Sequence, residues 1–201
     1  MQRGRESRAY RVLIALGIAL MCVALTLLVR DEMEDRWAQQ ASAQVLGSLE
    51  EVRPQLHEAD PASNEPTVVE CIGDYDYMGP VIIPTVGVDL PVADETSDDR
   101  LRISPCRYAG GIGTDDLIVC GEGYRSHFGR LGSVGIRDEV WFVTVDGALR
   151  RYVVSNVERD ALKDIDAVLD EWDLTLFTFN QDGTCCVVRC VRAAKSAARD
   201  E

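Results

Sequence analysis

Seven cysteines and two histidines are the residues of this 201-residue chain best suited to covalent or metal chemistry. A cysteine acts as a nucleophile through its thiolate, and it ligates zinc only beside partners at short, regular spacing. Cys22 lies in a long apolar run; Cys71, Cys106, Cys120, Cys185, Cys186 and Cys190 follow it. None forms a C-x-x-C pair, and with two His in the chain a zinc site lacks its usual ligand spacing, so neither a metal nor a cofactor is expected. Cys185 and Cys186 are adjacent in a run that reads as a strand, so they face opposite sides and only one can line a cleft. Cys185 is the candidate nucleophile of the two, but its neighbours supply no evident base, and a small residue filling space needs none. Cys120, before Gly121 in an apolar strand, reads as core or as a second candidate thiol, and His127 reads as a residue that structures its loop.

Residues 12–29 form an uncharged run of 18 residues, which as a helix spans about 27 Å, close to the hydrocarbon thickness of a bilayer. Arg3, Arg5, Arg8 and Arg11 precede it, and Asp31, Glu32, Glu34 and Asp35 follow, so the charge bias places the N-terminus in the cytoplasm and the remainder outside. A cleaved signal peptide fits less well. The run exceeds the ~7–15 residues of a signal h-region, and the small-residue triplet Ala41-Ser42-Ala43 comes too late.

The organisation expected is a basic cytoplasmic tail (1–11), a transmembrane helix (12–29), a helical stem (30–53), a linker (54–67), a β-rich domain (68–195) and a disordered tail (196–201). In the stem, Met33, Trp37, Ala41, Val45, Leu49 and Val52 recur at helical steps. Anchor, stem and linker are expected to add little to the domain's core. Beyond the linker, strands are expected at 68–72, 78–83, 117–119, 140–145, 149–157, 174–179 and 185–191, with a short helix at 164–172 and an Asp146-Gly147 hairpin turn. This strand density fits one closed barrel. The formal charge is −13; residues 1–11 contribute +3, leaving −16 for residues 12–201, which excludes a nucleic-acid footprint and keeps such a domain soluble and monomeric.

The stretch 173–192, DLTLFTFNQDGTCCVVRCVR, resembles the active-site strand pair of sortases, which carry Thr-Leu-x-Thr-Cys and then an Arg on the next strand. Thr175, Leu176, Phe177 and Thr178 match, and Phe179 stands in place of the Cys. The likeness extends from Asp76 to Arg192. Tyr77-Met78-Gly79-Pro80 through Pro84, then Val86-Gly87-Val88-Asp89-Leu90-Pro91-Val92, resemble the family's opening, and Ser104-Pro105-Cys106-Arg107-Tyr108 and Leu117-Ile118-Val119-Cys120-Gly121 lead to its Gly-His. Here Gly121-Glu122 stands there. Aligning on Arg189-Cys190 puts Cys185 at the family's Arg, with one residue fewer in the turn.

The resemblance implies a mainly β, sortase-like closed barrel with short helices, preceded by a transmembrane helix and a helical stem. In sortases the Cys thiolate attacks a carbonyl of a sorting signal, and an amine from cell-wall precursor or a pilin Lys resolves the thioacyl-enzyme. With Phe179, Glu122 and Cys185 at the positions of nucleophile, proton carrier and oxyanion cation, the resemblance implies an inactive sortase-fold protein. Such a protein would bind a sorting-signal peptide or a surface or pilus protein, or serve as partner of an active sortase. Thr178, Phe179, Glu122, His127 and Cys185 would line its cleft. The alternative is an active cysteine transpeptidase or hydrolase using Cys185 or Cys120. Cys106 and Cys190, both in segments that look constant in similar sortases, are the disulfide pair the resemblance suggests.

Overall fold

Ala38–Glu201 and Met1–Trp37 form separate units in the computed structural model, which describes residues 3–52, 55–59, 68–161, 172–179 and 185–193. A single helix, α1 (Arg3–Val52), runs without a break through the segments expected as tail, anchor and stem. Its apolar portion is long and apolar enough to cross a membrane and buries none of its residues: Leu13 is 67% and Met21 74% exposed. The Thr26 hydroxyl donates to the Cys22 carbonyl at 2.7 Å, so even the polar atom in this stretch is satisfied within the helix. Past the apolar run, Arg30–Glu34 (2.9 Å) and Arg36–Glu32 (3.0 Å) are exposed i,i+4 pairs that suit helical continuation.

In the second unit the strands are β1 (His57–Glu58), β2 (Glu70–Ile72), β3 (Tyr75–Ile83), β4 (Val88–Ala93), β5 (Cys106–Ala109), β6 (Leu117–Glu122), β7 (Glu139–Val143), β8 (Ala148–Ala161), β9 (Leu174–Phe179) and β10 (Cys185–Arg192). A one-turn helix, α2 (Asp98–Leu101), separates β4 from β5. Pairing runs β8-β10-β9-β6-β5-β4-β3, and β7 pairs with both β3 and β8, so β3 to β10 close an eight-stranded barrel. The expected closed barrel is present. β2 extends it as a hairpin on β3, and β1 adds in parallel to the start of β8. That last pairing lies inside the segment expected to be linker. The expected helix at 164–172 falls, except for Trp172, outside the described residues.

Alternation along each strand sorts side chains into two clusters. Met78, Val119, Phe142, Leu176 and Val188 belong to the interior cluster, to which Ile112 and Phe128 contribute from loops. The alternate residues Tyr77, Ala93, Cys106, Ile118, Cys120, Phe177, Cys185 and Val187 form a second cluster on the outer face. Strand β4 follows the same alternation, Val88, Leu90 and Val92 facing inward with Asp89 and Pro91 between them. Closure at β3 and β7 depends on Gly79: its φ is +125°, and a Cβ there would lie 1.9 Å from the Val143 carbonyl oxygen.

Contrary to expectation, the stem takes part in the barrel's packing. Ala38, Ser42 and Leu49 are buried, and Val45 packs on the outer cluster, a stripe at steps of three and four residues. Met33, Trp37 and Val52, assigned to the same apolar stripe in sequence, are exposed. Of the expected stripe, Val45 and Leu49 meet the barrel, joined by the small residues Ala38 and Ser42.

Candidate functional site

Because β6 and β9 pair in parallel while β9 and β10 pair antiparallel, Glu122 is opposite Phe179, and Phe179 is opposite Cys185. The three positions therefore form one row across three neighbouring strands. At about 4.8 Å per strand, the outer two backbones are some 10 Å apart. Two residues along, Ala93, Cys106, Cys120, Phe177 and Val187 form a second row across five strands, all in the outer cluster. This row is the buried base of the outer cluster. Tyr108 stands edge-on to Phe177, with centroids 5.4 Å apart and planes at 86°.

Local sequence holds the row in place. Gly121, just before Glu122, faces inward, where a Cβ would come within 2.6 Å of the Phe128 ring; without one, the ring seats against the strand. The Phe128 seat fixes the following loop, in which the amides of His127 and Gly129 both donate to the Tyr124 carbonyl, at 3.0 and 2.9 Å. On the other side of Glu122 lies α2, capped by Ser97, whose hydroxyl accepts from the Arg100 amide at 3.3 Å.

Burial shapes the ionisation of the groups in and around this row, and it disfavours a thiolate. Burial, and then the charge of Asp98, hold the Glu122 carboxyl above the usual carboxylate range, while Arg102 opposes the shift. Burial raises the Cys185 thiol, and Glu158 adds to it. Burial also raises Cys120 despite its contact with Thr96, and pushes Cys106 up to about 12. These thiols stay protonated at neutral pH, so they are poor nucleophiles. Arg189 does not stand in for a missing cation: it is in register with Thr175, on the far side of Val187 from Cys185, and is engaged with Glu158.

Two cleft candidates lie elsewhere. Thr178 is buried, and alternation puts it on the inward side with Leu174 and Leu176, so it does not join the outer row. His127 is fully buried, and its Nε2 lies 3.2 Å from the Ser42 hydroxyl of α1. That hydroxyl donates to the Ile103 carbonyl, so it accepts from His127. His127 and Ile103 thus hold α1 down at Ser42, and Val45 and Leu49 pack into the outer cluster from the same helical face.

Ser42 and Leu49 are the site residues that sequence reasoning missed. The small residues Ala38 and Ser42, in line with Val45 and Leu49, were the available sign of a face meant for close packing.

The expected Cys106–Cys190 disulfide is not formed. Both thiols are free, and they sit on opposite faces of the barrel wall, Cys106 in the outer cluster and Cys190 in the interior one. The residue opposite Cys106 is Cys120.

No family model matches the chain, and no curated protein matches it. Solved structures do. A lid mutant of sortase A from Corynebacterium diphtheriae is 18% identical, with 79% of this chain and 93% of that one covered and a TM-score of 0.53. Sortase C1 from Streptococcus agalactiae is 20% identical over 61% and 70% of the two chains, and a sortase D5 transpeptidase from Clostridium perfringens 16% over 61% and 81%, each with a TM-score of 0.51. The fold of this chain is that of the sortases.

Proposed function

We propose that this sortase-fold chain is a membrane-anchored protein that lacks transpeptidase chemistry and works by binding, its barrel lying outside the cytoplasm. The observation that carries the reading is the row Glu122, Phe179, Cys185. Acyl transfer through a thioester needs a sulfur nucleophile, a proton carrier for the amines and a donor for the oxyanion. Phenylalanine has neither lone pair nor acid proton. A carboxylate beside a carbonyl that becomes an oxyanion opposes the charge it would have to stabilise. A thiol offers one weak donor where a guanidinium offers five and a fixed charge.

With residues 38–52 of α1 lifted, a groove floored by Phe177, Val187 and cysteines now buried would suit an apolar peptide, so the ligand class is a sorting-signal peptide or a surface-protein segment with such side chains. Residues 38–52 of α1 act as a lid on that groove; the similar sortase A variant from Corynebacterium diphtheriae is itself altered in a lid. Binding then requires Leu49 and Val45 to be displaced. The acidic residues that follow the apolar run and the Arg residues that precede it favour the barrel on the outer side of the membrane.

The test restores the three groups together. The full chain carrying Phe179→Cys, Glu122→His and Cys185→Arg, in detergent, is expected to cleave or transfer a sorting peptide, while wild type and each single variant stay at background. Groups that act as a unit are strongly non-additive, so one restored residue gains little. Wild-type cleavage that Cys185→Ala or Cys120→Ala abolishes would sink the inactive reading and identify the nucleophile.

A further inference from the structure

Cys106 and Cys120 occupy directly opposed positions on the antiparallel pair β5–β6. Residues so opposed have Cα atoms about 4.5–5.5 Å apart, within the roughly 4.4–6.8 Å that a disulfide bridges. Their side chains leave the same face: both belong to the outer cluster, which Leu49 joins. The sulfurs currently make neighbouring contacts, with the Cys120 thiol 3.5 Å from the Cys106 carbonyl oxygen and the Cys106 thiol 3.5 Å from that of Ser104. Side-chain rotation alone can bring such thiols together. No other pair of described cysteines is opposed in this way: Cys185 faces Phe179, Cys186 faces Thr178, and Cys190 faces Leu174.

We propose that Cys106 and Cys120 are a cross-strand disulfide site, closed by a small-molecule disulfide or a thiol oxidase. In the exchange, the thiolate of one cysteine attacks a sulfur of the oxidant disulfide and expels one reductant thiolate. The second cysteine then attacks the mixed disulfide and expels the other. The protein loses two protons and two electrons, and the oxidant is reduced to two thiols. The bridge closes a 15-residue loop (106–120) and ties β5 to β6, the strand that carries Glu122. It forms within the cluster that Leu49 joins, so oxidation locks β5 to β6 there whatever the helix does. The inference does not depend on the binding function or on which side of the membrane the barrel lies.

The closing experiment uses the full chain in detergent, incubated with oxidised glutathione at a urea concentration below its unfolding transition, then alkylated and digested with trypsin without reduction. Cleavage after Arg102, Arg107 and Arg125 puts Cys106 and Cys120 on separate peptides, 103–107 and 108–125, unless they are bonded. The expected product is these two peptides joined, released from each other by reductant and absent from Cys120→Ser. Closing a 15-residue loop is also expected to raise Tm by about 6–12 °C over the reduced protein. A principal link between any other two cysteines, including Cys106 with Cys190, overturns the proposal, as does recovery of both peptides unlinked from wild type. The wild-type digest decides the matter even if a serine variant fails to fold.

Discussion

Replacing Leu49 by alanine separates the hold of the helix on the groove from the stability of the barrel. Leu49 is 3% exposed and packs in the outer cluster, with Val45 and Ser42 on the same face and no interior residue depending on it. Truncating a buried leucine costs about 2–5 kcal/mol, and a site at the edge of a barrel, free to collapse, falls near about 2–3 kcal/mol. If residues 38–52 lift as a local unit, that cost falls on the lifting equilibrium, and the open fraction rises by about 30- to 150-fold at 1.4 kcal/mol per tenfold. The assay is site-resolved alkylation of Cys185 in the full chain, where the thiol is buried in the same cluster and reacts only on opening. The labelling rate of Cys185 should rise by that factor while the barrel's Tm changes little. An unchanged labelling rate together with a large fall in Tm would refute the reasoning, because it would make the helix an integral part of the barrel.

Two further outcomes follow from the row and its support. Glu122→Gln removes a carboxyl held above the usual range by burial; an acid with a raised folded-state pKa destabilises when ionised, so the variant should be more stable than wild type at pH 7. The gap should shrink as pH falls through the raised value and close below about 4.3, the ordinary Glu pKa; denaturant titrations that give a pH-independent gap would refute the assignment. Gly121→Ala drives a methyl to within 2.6 Å of the Phe128 ring, an overpacking that costs about 1–3 kcal/mol and should lower Tm by several degrees, whereas a shift under about 1 °C would show that the ring moves freely.

The alignment of Glu122, Phe179 and Cys185 was legible from the chain because matched strands carry their register with them: once Arg189-Cys190 and Gly121 are placed, the row follows. The alternation that put Cys185 and Cys186 on opposite faces also sends Cys190 inward with Cys186, parity that argues against a Cys106–Cys190 bond. A likeness to constant segments hid that signal. Strand β4 keeps the period-2 pattern, with Val88, Leu90 and Val92 inward, but Asp89 and Pro91 on its other face are residues depleted from strands, which hid it. The docking of α1 was not legible because an amphipathic helix specifies a face and not a partner. Ser42 meets Ile103 and His127 across 61 and 85 residues, and its own segment says nothing about such contacts.

The division of each strand into an inward and an outward set has an evolutionary consequence. Leu176 and Val188 hold the barrel together from one side of β9 and β10, whereas the position of Cys185 projects from the other. A change in the outward row leaves the interior packing in place, and what it costs is set by the outer cluster and the helix that packs into it. The two faces of one strand can therefore change at different rates, the inward one answering to the closure of the barrel and the outward one to whatever meets it from outside.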